Sequence, residues 1–190
     1  PDFSVGTLEA LVEAGHEVVL AVTQPDKPKG RGKEMQYTPV KACAMKYNIP
    51  VYQPVKVRES KCVEKLREYD ADIMVVVAFG QILPKEILEM TRYGAVNVHA
   101  SLLPKYRGAT PVNAAILNRD EETGLTIQKM SLAMDEGDII FQQATRLTGT
   151  ETADKVLYNS AVYGGSHITT ILRGISRTGE MPKSTPQVGE

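Results

Sequence analysis

The chain has 190 residues, 42% of them hydrophobic and 24% charged, and its net charge is −1. That suits one water-soluble domain with a full-sized core. It supplies no global field that would draw the molecule onto nucleic acid, so any polyanion contact needs a local patch. No apolar run reaches the about 20 residues that cross a bilayer, and no signal-peptide pattern opens the sequence, so no membrane association is expected. Cys43 and Cys62 form no CxxC pair and read as reduced, buried thiols of a cytoplasmic protein.

Leu8, Leu11 and Val12 fall at helical spacing, with Gly15 as the stop. Val18 to Val22 reads as a strand. Gln24 to Gln36, with Pro25, Pro28, Gly30 and Gly32, reads as a long mobile loop. Pro39 to Tyr47 is helical, Val51-Tyr52 a short strand, and Val63, Leu66 and Tyr69 mark an amphipathic helix. The apolar run Ile73 to Ala78 fits a parallel strand covered on both faces. A turn from Phe79 leads to Pro84 as N1 of a helix through Met90. Ala95 to His99 is a strand, and Thr110-Pro111 is an N-cap and N1 pair opening a helix to Leu117. Leu125 to Met130 and Ile139 to Ala144 are strands. A long helix from Thr150 carries Leu157, Ala161, Gly164, Ile168, Ile171 and Ile175 on one stripe. This alternation predicts an α/β fold, doubly wound around a mostly parallel sheet. The catalytic domain is expected over residues 1–177. Residues 178–190 are polar and carry Pro182 and Pro186, so they read as the start of a linker. Because the sequence opens on a helix, a first strand is expected to be absent from the sheet centre, leaving a poorly stable polypeptide.

Asn97 and His99 are two apart at the end of a predicted strand and so share a face, at the edge where open α/β sheets bind ligands. A second post-strand loop, Met134 to Asp138, can meet them there if the strands run parallel. Asn, His and Asp together suit acyl transfer to an amine. An amide N–H stabilises the oxyanion, imidazole moves protons near neutral pH, and a carboxylate orients the imidazole. The residues alone leave a second reading open, with His99 a hydrogen-bonded structural residue and Asn97 a turn cap. A Ser101–His99 hydrolase is disfavoured because no GxSxG elbow is present. His16, His99 and His167 have no ligand-like spacing, so no metal is expected.

The run NVHASLLPKYRGATP, Asn97 to Pro111, resembles the signature of the folate-dependent formyltransferase superfamily. GLTIQKMSLAMDEGDII, Gly124 to Ile140, resembles that superfamily's second signature. The resemblance implies a Rossmann-like catalytic domain, with Asn97, His99 and Asp135 as catalytic residues and 10-formyltetrahydrofolate as co-substrate. It implies folate contacts at Ser101, Leu102, Leu103, Pro104, Phe79, Gly80, Gln81, Ile82, Leu83 and Asp138. Within the superfamily the chain is most similar to members that formylate initiator methionyl-tRNA. The resemblance rests also on TQPDKPKGRGKE, Thr23 to Glu34, and VVVAFGQILPKEIL, Val75 to Leu88. It implies a role in translation initiation, a further carboxyl-terminal β-barrel domain, and a monomer.

The segment Gln24 to Lys41 carries five basic side chains against two acidic ones, net +3. Lys27, Lys29, Arg31 and Lys33 are therefore candidate tRNA contacts on the strength of the resemblance, although composition alone favours a solvated surface loop. The rivals are transfer to a sugar amine or to glycinamide ribonucleotide, and hydrolysis or simple binding of the formylfolate.

Overall fold

A computed structural model describes residues 2–188; Pro1 and the last two residues of the expected linker lie outside the described residues. Helix α1 (Asp2–Glu13) ends where Gly15, at φ +81°, lets His16 N–H reach Leu11 O at 3.1 Å. Strand β1 (Ala21–Val22) is shorter than the apolar run 18–22 and pairs in parallel with β4 (Val51–Tyr52). Between them lies α2 (Pro39–Lys46), opened by Thr38, whose hydroxyl accepts from Lys41 N–H. Then follow α3 (Ser60–Arg67), β5 (Met74–Val76), the one-turn α4 (Lys85–Leu88), β6 (Ala95–His99), α5 (Pro111–Leu117), β7 (Glu122–Lys129), β8 (Ile139–Arg146) and the long α6 (Ala153–Thr178).

Three expectations need correction. The segment 24–36 is not an open loop: β2 (Lys27–Lys29) and β3 (Glu34–Gln36) form an exposed antiparallel hairpin. Gly30 and Lys33, both at positive φ, turn the chain between them. The sheet is mixed, not mostly parallel. In the order β5-β6-β7-β8 only β5–β6 is parallel, because β7 and β8 return antiparallel. Pro84 is an N-cap, not N1, and its helix stops at Leu88.

The fold is a Rossmann-like α/β domain. Val75 and its odd-numbered neighbours Ile73 and Val77 pack with Val96, Val98, Leu125, Ile127 and Ile168. Met74 and Val76 pack on the opposite side, with Val63, Leu83 and Ile87. This is the double covering that the apolar run predicts.

The β1–β4 pair and the four-stranded sheet do not join. Between them lies a cavity of about 840 Å³ lined by consecutive residues, 16–24 and 69–79. A groove against a sheet face shows alternate residues. Consecutive ones mean that the facing edges of β1 and β5 themselves line the slot, unpaired among the described residues. Thr7 Oγ1 and His16 Nε2, buried without a hydrogen-bond partner, belong to residues on the same wall. A polypeptide with this slot is expected to bind hydrophobic dyes and to melt at low temperature. A cooperative, high-temperature melt in calorimetry would contradict that.

Helices α1 and α6 approach closely at small residues. A Cβ on Gly165 would stand 2.9 Å from Ala10 Cβ and 3.0 Å from Gly6 O, whereas one on Gly174 meets nothing within 4 Å. Gly165→Leu should therefore lower urea-unfolding stability by about 1–3 kcal/mol through overpacking. Gly174→Ala should raise it by about 0.5–1 kcal/mol through helix propensity alone.

Candidate active site

Alternation sorts β6 and β7 into two faces. Val96, Val98, Leu125 and Ile127 enter the core, while Asn97, His99, Thr126 and Gln128 form a polar stripe opposite. The register sets Asn97 across from Gln128 and His99 across from Thr126. Thr126 and Gln128 are as buried as the core, at 0% and 2% exposure, so every polar atom of theirs needs a partner. Thr126 Oγ1 donates to Ser101 O and accepts from Leu103 N–H and Gln142 Nε2.

Asp135 comes to His99 by a route other than the expected one. Because β7 is antiparallel, its end at Lys129 lies opposite Val96, away from His99. The following loop folds back over the polar face, with Lys129 N–H on Asp138 O and Gly137 N–H on Gln128 Oε1. Gly137 permits this, since a Cβ there would meet the Lys129 carbonyl directly. Asp135 sits at φ +54° with Oδ1 3.6 Å from His99 Nδ1. Its Oδ2 accepts from Gly108 N–H at 2.8 Å, and its carbonyl takes Arg107 Nε and Gln187 Nε2.

His99 Nε2 is 2.8 Å from Tyr106 O. A carbonyl can only accept, so Nε2 carries a proton and Nδ1 is left facing the carboxylate. Asn97 Nδ2 donates one hydrogen to Val76 O, and Oδ1 accepts from Gln128 Nε2, each at 3.0 Å. The second Nδ2 hydrogen has no hydrogen-bond partner among the described residues. The site thus holds an amide donor beside an imidazole–carboxylate pair. The pair's separation of 3.6 Å is looser than a hydrogen bond and of the kind that tightens when substrate binds.

The expected folate residues divide. Leu102 and Pro104 are half-buried and, with Lys105 and Tyr106, wall a hollow of about 430 Å³. Ser101 and Leu103 face inward instead and hold the turn: Ser101 Oγ donates to Lys105 O, and Leu103 O accepts from Gln142 Nε2. Phe79 and Leu83 line the larger slot, Gly80 turns at φ +85°, and Ile82 is exposed. The Gln81 amide ties Val57 N–H, Pro54 O and Gln24 Oε1 together. Asp138 lies at the loop end, where its Oδ2 accepts from Ser184.

Lys27, Lys29, Arg31 and Lys33 all stand exposed on the hairpin. The hairpin root is anchored by Asp26, which accepts from Lys41 Nζ and Gln53 Nε2, both at 2.7 Å. The Lys41 hydrogen bond, then Gln53, holds the Asp26 carboxyl below the usual range. Gln24, beside it, donates to Phe79 O. Sequence reasoning missed Gln128, Thr126, Gln142, Arg107 and Gln187. The first two were visible as the polar half of the alternation Leu125-Thr126-Ile127-Gln128. Gln187 lies in the segment read as linker, yet it bonds Asp135 O and Gly137 O and accepts from Arg107, while Thr185 pairs with Ile139.

A Rossmann-like domain thus carries this Asn–His–Asp group on the polar face of its sheet. The chain belongs to the formyl transferase family, whose model matches residues 2–168. It is 64% identical over 152 residues to the methionyl-tRNA formyltransferase of Agathobacter rectalis, covering 80% of this chain and 49% of that protein. It is 44% identical over 189 residues to the same enzyme of Pelotomaculum thermopropionicum, covering 100% of this chain and 60% of the relative. The chain thus spans about half the length of these curated relatives. Among solved structures, phosphoribosylglycinamide formyltransferase of Bacillus halodurans superposes with a TM-score of 0.75 at 22% identity, covering 92% of this chain and 91% of that one. A sugar 3-N-formyltransferase solved with dTDP and 5-N-formyltetrahydrofolate gives 0.69 at 22% identity, covering 98% of this chain and 63% of its own. At that identity both speak for the fold.

Gly137→Ala should displace the Asp135 loop. Misplacement of about 1 Å can cost about 10²-fold in rate, so a turnover near the parent's would show that the fold-back does not set the site.

Proposed function

We propose that this chain carries the transfer centre that moves a formyl group from 10-formyltetrahydrofolate to the α-amine of initiator methionyl-tRNA, in the cytoplasm and as a monomer. The observation that carries the reading is that His99 faces Asp135 while Gln128 bridges Asp135 to Asn97, beside the 101–104 turn. The free amine attacks the formyl carbon, and the carbonyl oxygen becomes an oxyanion. The second Asn97 Nδ2 hydrogen donates to it. His99 Nδ1, held near Asp135, passes the proton released by the amine to the folate nitrogen as the carbon–nitrogen bond to folate breaks. Leu102 and Pro104 offer a shallow, partly apolar face beside the turn, against which one side of a flat heterocycle can lie. Ser101 and Leu103 hold the turn from inside, while Phe79, Gly80, Gln81, Ile82, Leu83 and Asp138 lie outside the lining of the hollow at that face.

The hairpin favours tRNA over a small amine. Asp26 is neutralised by Lys41, so the tip presents Lys27, Lys29, Arg31 and Lys33 against Glu34 alone. Arg31 sits between two glycines, where backbone can approach a phosphate or base closely.

His99→Ala should lower kcat by about 10²-fold or more; a near-parental rate removes His99 from the mechanism. Arg31→Ala should weaken use of Met-tRNA and leave folate binding unchanged. Replacing Lys27, Lys29 and Lys33 together should flatten the salt dependence, by about one unit of slope for each phosphate that is no longer neutralised. If neither variant changes tRNA use, a small-amine acceptor is the better reading. Rapid formate release with folate alone would favour a hydrolase.

A further inference from the structure

The group at the centre of the polar face is not one of the three reactive side chains. Gln128 is 2% exposed, and its amide is fully engaged. Nε2 donates one hydrogen to Asn97 Oδ1 and the other to Asp135 Oδ1, both at 3.0 Å, while Oε1 accepts from Gly137 N–H at 3.1 Å. The β7–β8 register shifts between Ile127 and Gln128, with the extra residue, Ile140, on β8, so Gln128 keeps the regular alternation of β7. The two acceptors lie on different segments, β6 and the fold-back loop, and the third bond grips that same loop.

We propose that Gln128 is a positioning residue that sets the amide orientation of Asn97 and the place of Asp135 as one unit. The proposal rests on the reading of Asn97, His99 and Asp135 as the transfer group. By donating to Asn97 Oδ1, Gln128 acts together with the Val76 carbonyl, which takes one Nδ2 hydrogen, in fixing which way the Asn97 amide faces. The opposite flip would set N–H against N–H in a buried site. By donating to Asp135 Oδ1 it stabilises the ionised carboxylate that faces His99. By accepting from Gly137 N–H it closes the loop over β7. Only a neutral amide satisfies all three: a carboxylate at this position cannot donate when ionised, and a thioether neither donates nor accepts well.

Three variants of the chain test this: Gln128→Met, Gln128→Glu and, as control, His99→Ala. Formyl transfer to Met-tRNA is measured with kcat and KM separated and across pH, and the His99 imidazole is titrated by NMR. The charged groups around the amide are Asp135 and Glu136 on the loop, His99 on β6, and Arg107, which lies 3.6 Å from Glu136. Gln128→Met should fold, lower kcat by about 10- to 10²-fold and change KM for the formylfolate little, because ground-state folate contacts lie elsewhere. Gln128→Glu should be least active at high pH, where two carboxylates face each other. It should recover as pH falls, because a protonated acid regains one donor. Its added negative charge should favour the protonated imidazole, so the NMR titration curve of this variant should differ from the parent's.

The titration needs no turnover. If the His99 titration is the same in all Gln128 variants and the parent, the geometric coupling is wrong, whatever the reaction. If His99→Ala alone transfers formyl at the parental rate, the functional reading fails while the titration still reports on Gln128. A Gln128→Met protein with parental kcat, or a Gln128→Glu pH profile parallel to the parent's, overturns the proposal.

Discussion

Two antiparallel strands, β6 and β7, each bury both of their faces, and one of those faces is polar. Thr126 and Gln128 are as enclosed as Val96 and Ile127. A buried amide or hydroxyl without a partner costs roughly 1–3 kcal/mol, so this face is tolerable only when every group on it is paired. The pairing is met by bringing three outside segments onto the face. The 101–103 turn docks on Thr126, the 133–138 loop on Gln128, and Gln142 of β8 on both Thr126 and the turn. The requirement for hydrogen-bond satisfaction thus assembles the site, and Asn97 and His99 gain their surroundings as a consequence.

The same requirement explains two close approaches that side chains would forbid. A Cβ on Gly124 would strike the Gln143 carbonyl and Leu102, and one on Gly137 would strike the Lys129 carbonyl. Both glycines lie where a docked segment presses on the β7 ribbon. Gln187 and Thr185 then cover the loop from outside, and Arg107 joins Asp135 O to Gln187. The tail acts as the outer layer of the site even though its composition reads as linker, because its polar side chains supply hydrogen bonds where apolar packing is not needed.

What was legible in the sequence is local in origin. The strand at 95–99, the proline that opens α5 at 111 and the stripe of α6 depend on neighbouring residues, and each stands where local pattern places it, although Thr110 makes no side-chain cap bond. The shared face of Asn97 and His99 follows from strand period alone. Strand direction was not legible: nothing local in Leu125 to Met130 says that the connection through α5 returns the chain antiparallel. Asp135 and His99 do meet as expected, but through a loop that folds back over β7 and not because two parallel strands end at one edge. The hairpin at 27–36 escaped because its prolines and glycines read as loop. Its pairing depends on the four-residue turn Gly30 to Lys33, with positive φ at both ends.

The hairpin's attachment bears on how binding there can reach the chemistry. Its root is held by a web of neutral amides: Gln53 on Gln24 O and Asp26, Gln24 on Phe79 O, and Gln81 on Gln24 Oε1 and Pro54 O. Phe79 follows β5, and the β5 carbonyl at Val76 orients Asn97. Hydrogen bonds, rather than a soft apolar interface, therefore connect the hairpin to the strand end whose carbonyl takes the Asn97 amide. On the reading that the hairpin grips tRNA, binding energy from contacts remote from the reacting amine can go into alignment. A small amine lacking them would leave that connection unused, which is a physical reason for a formyl-transfer core to carry an anchored basic hairpin rather than a free loop.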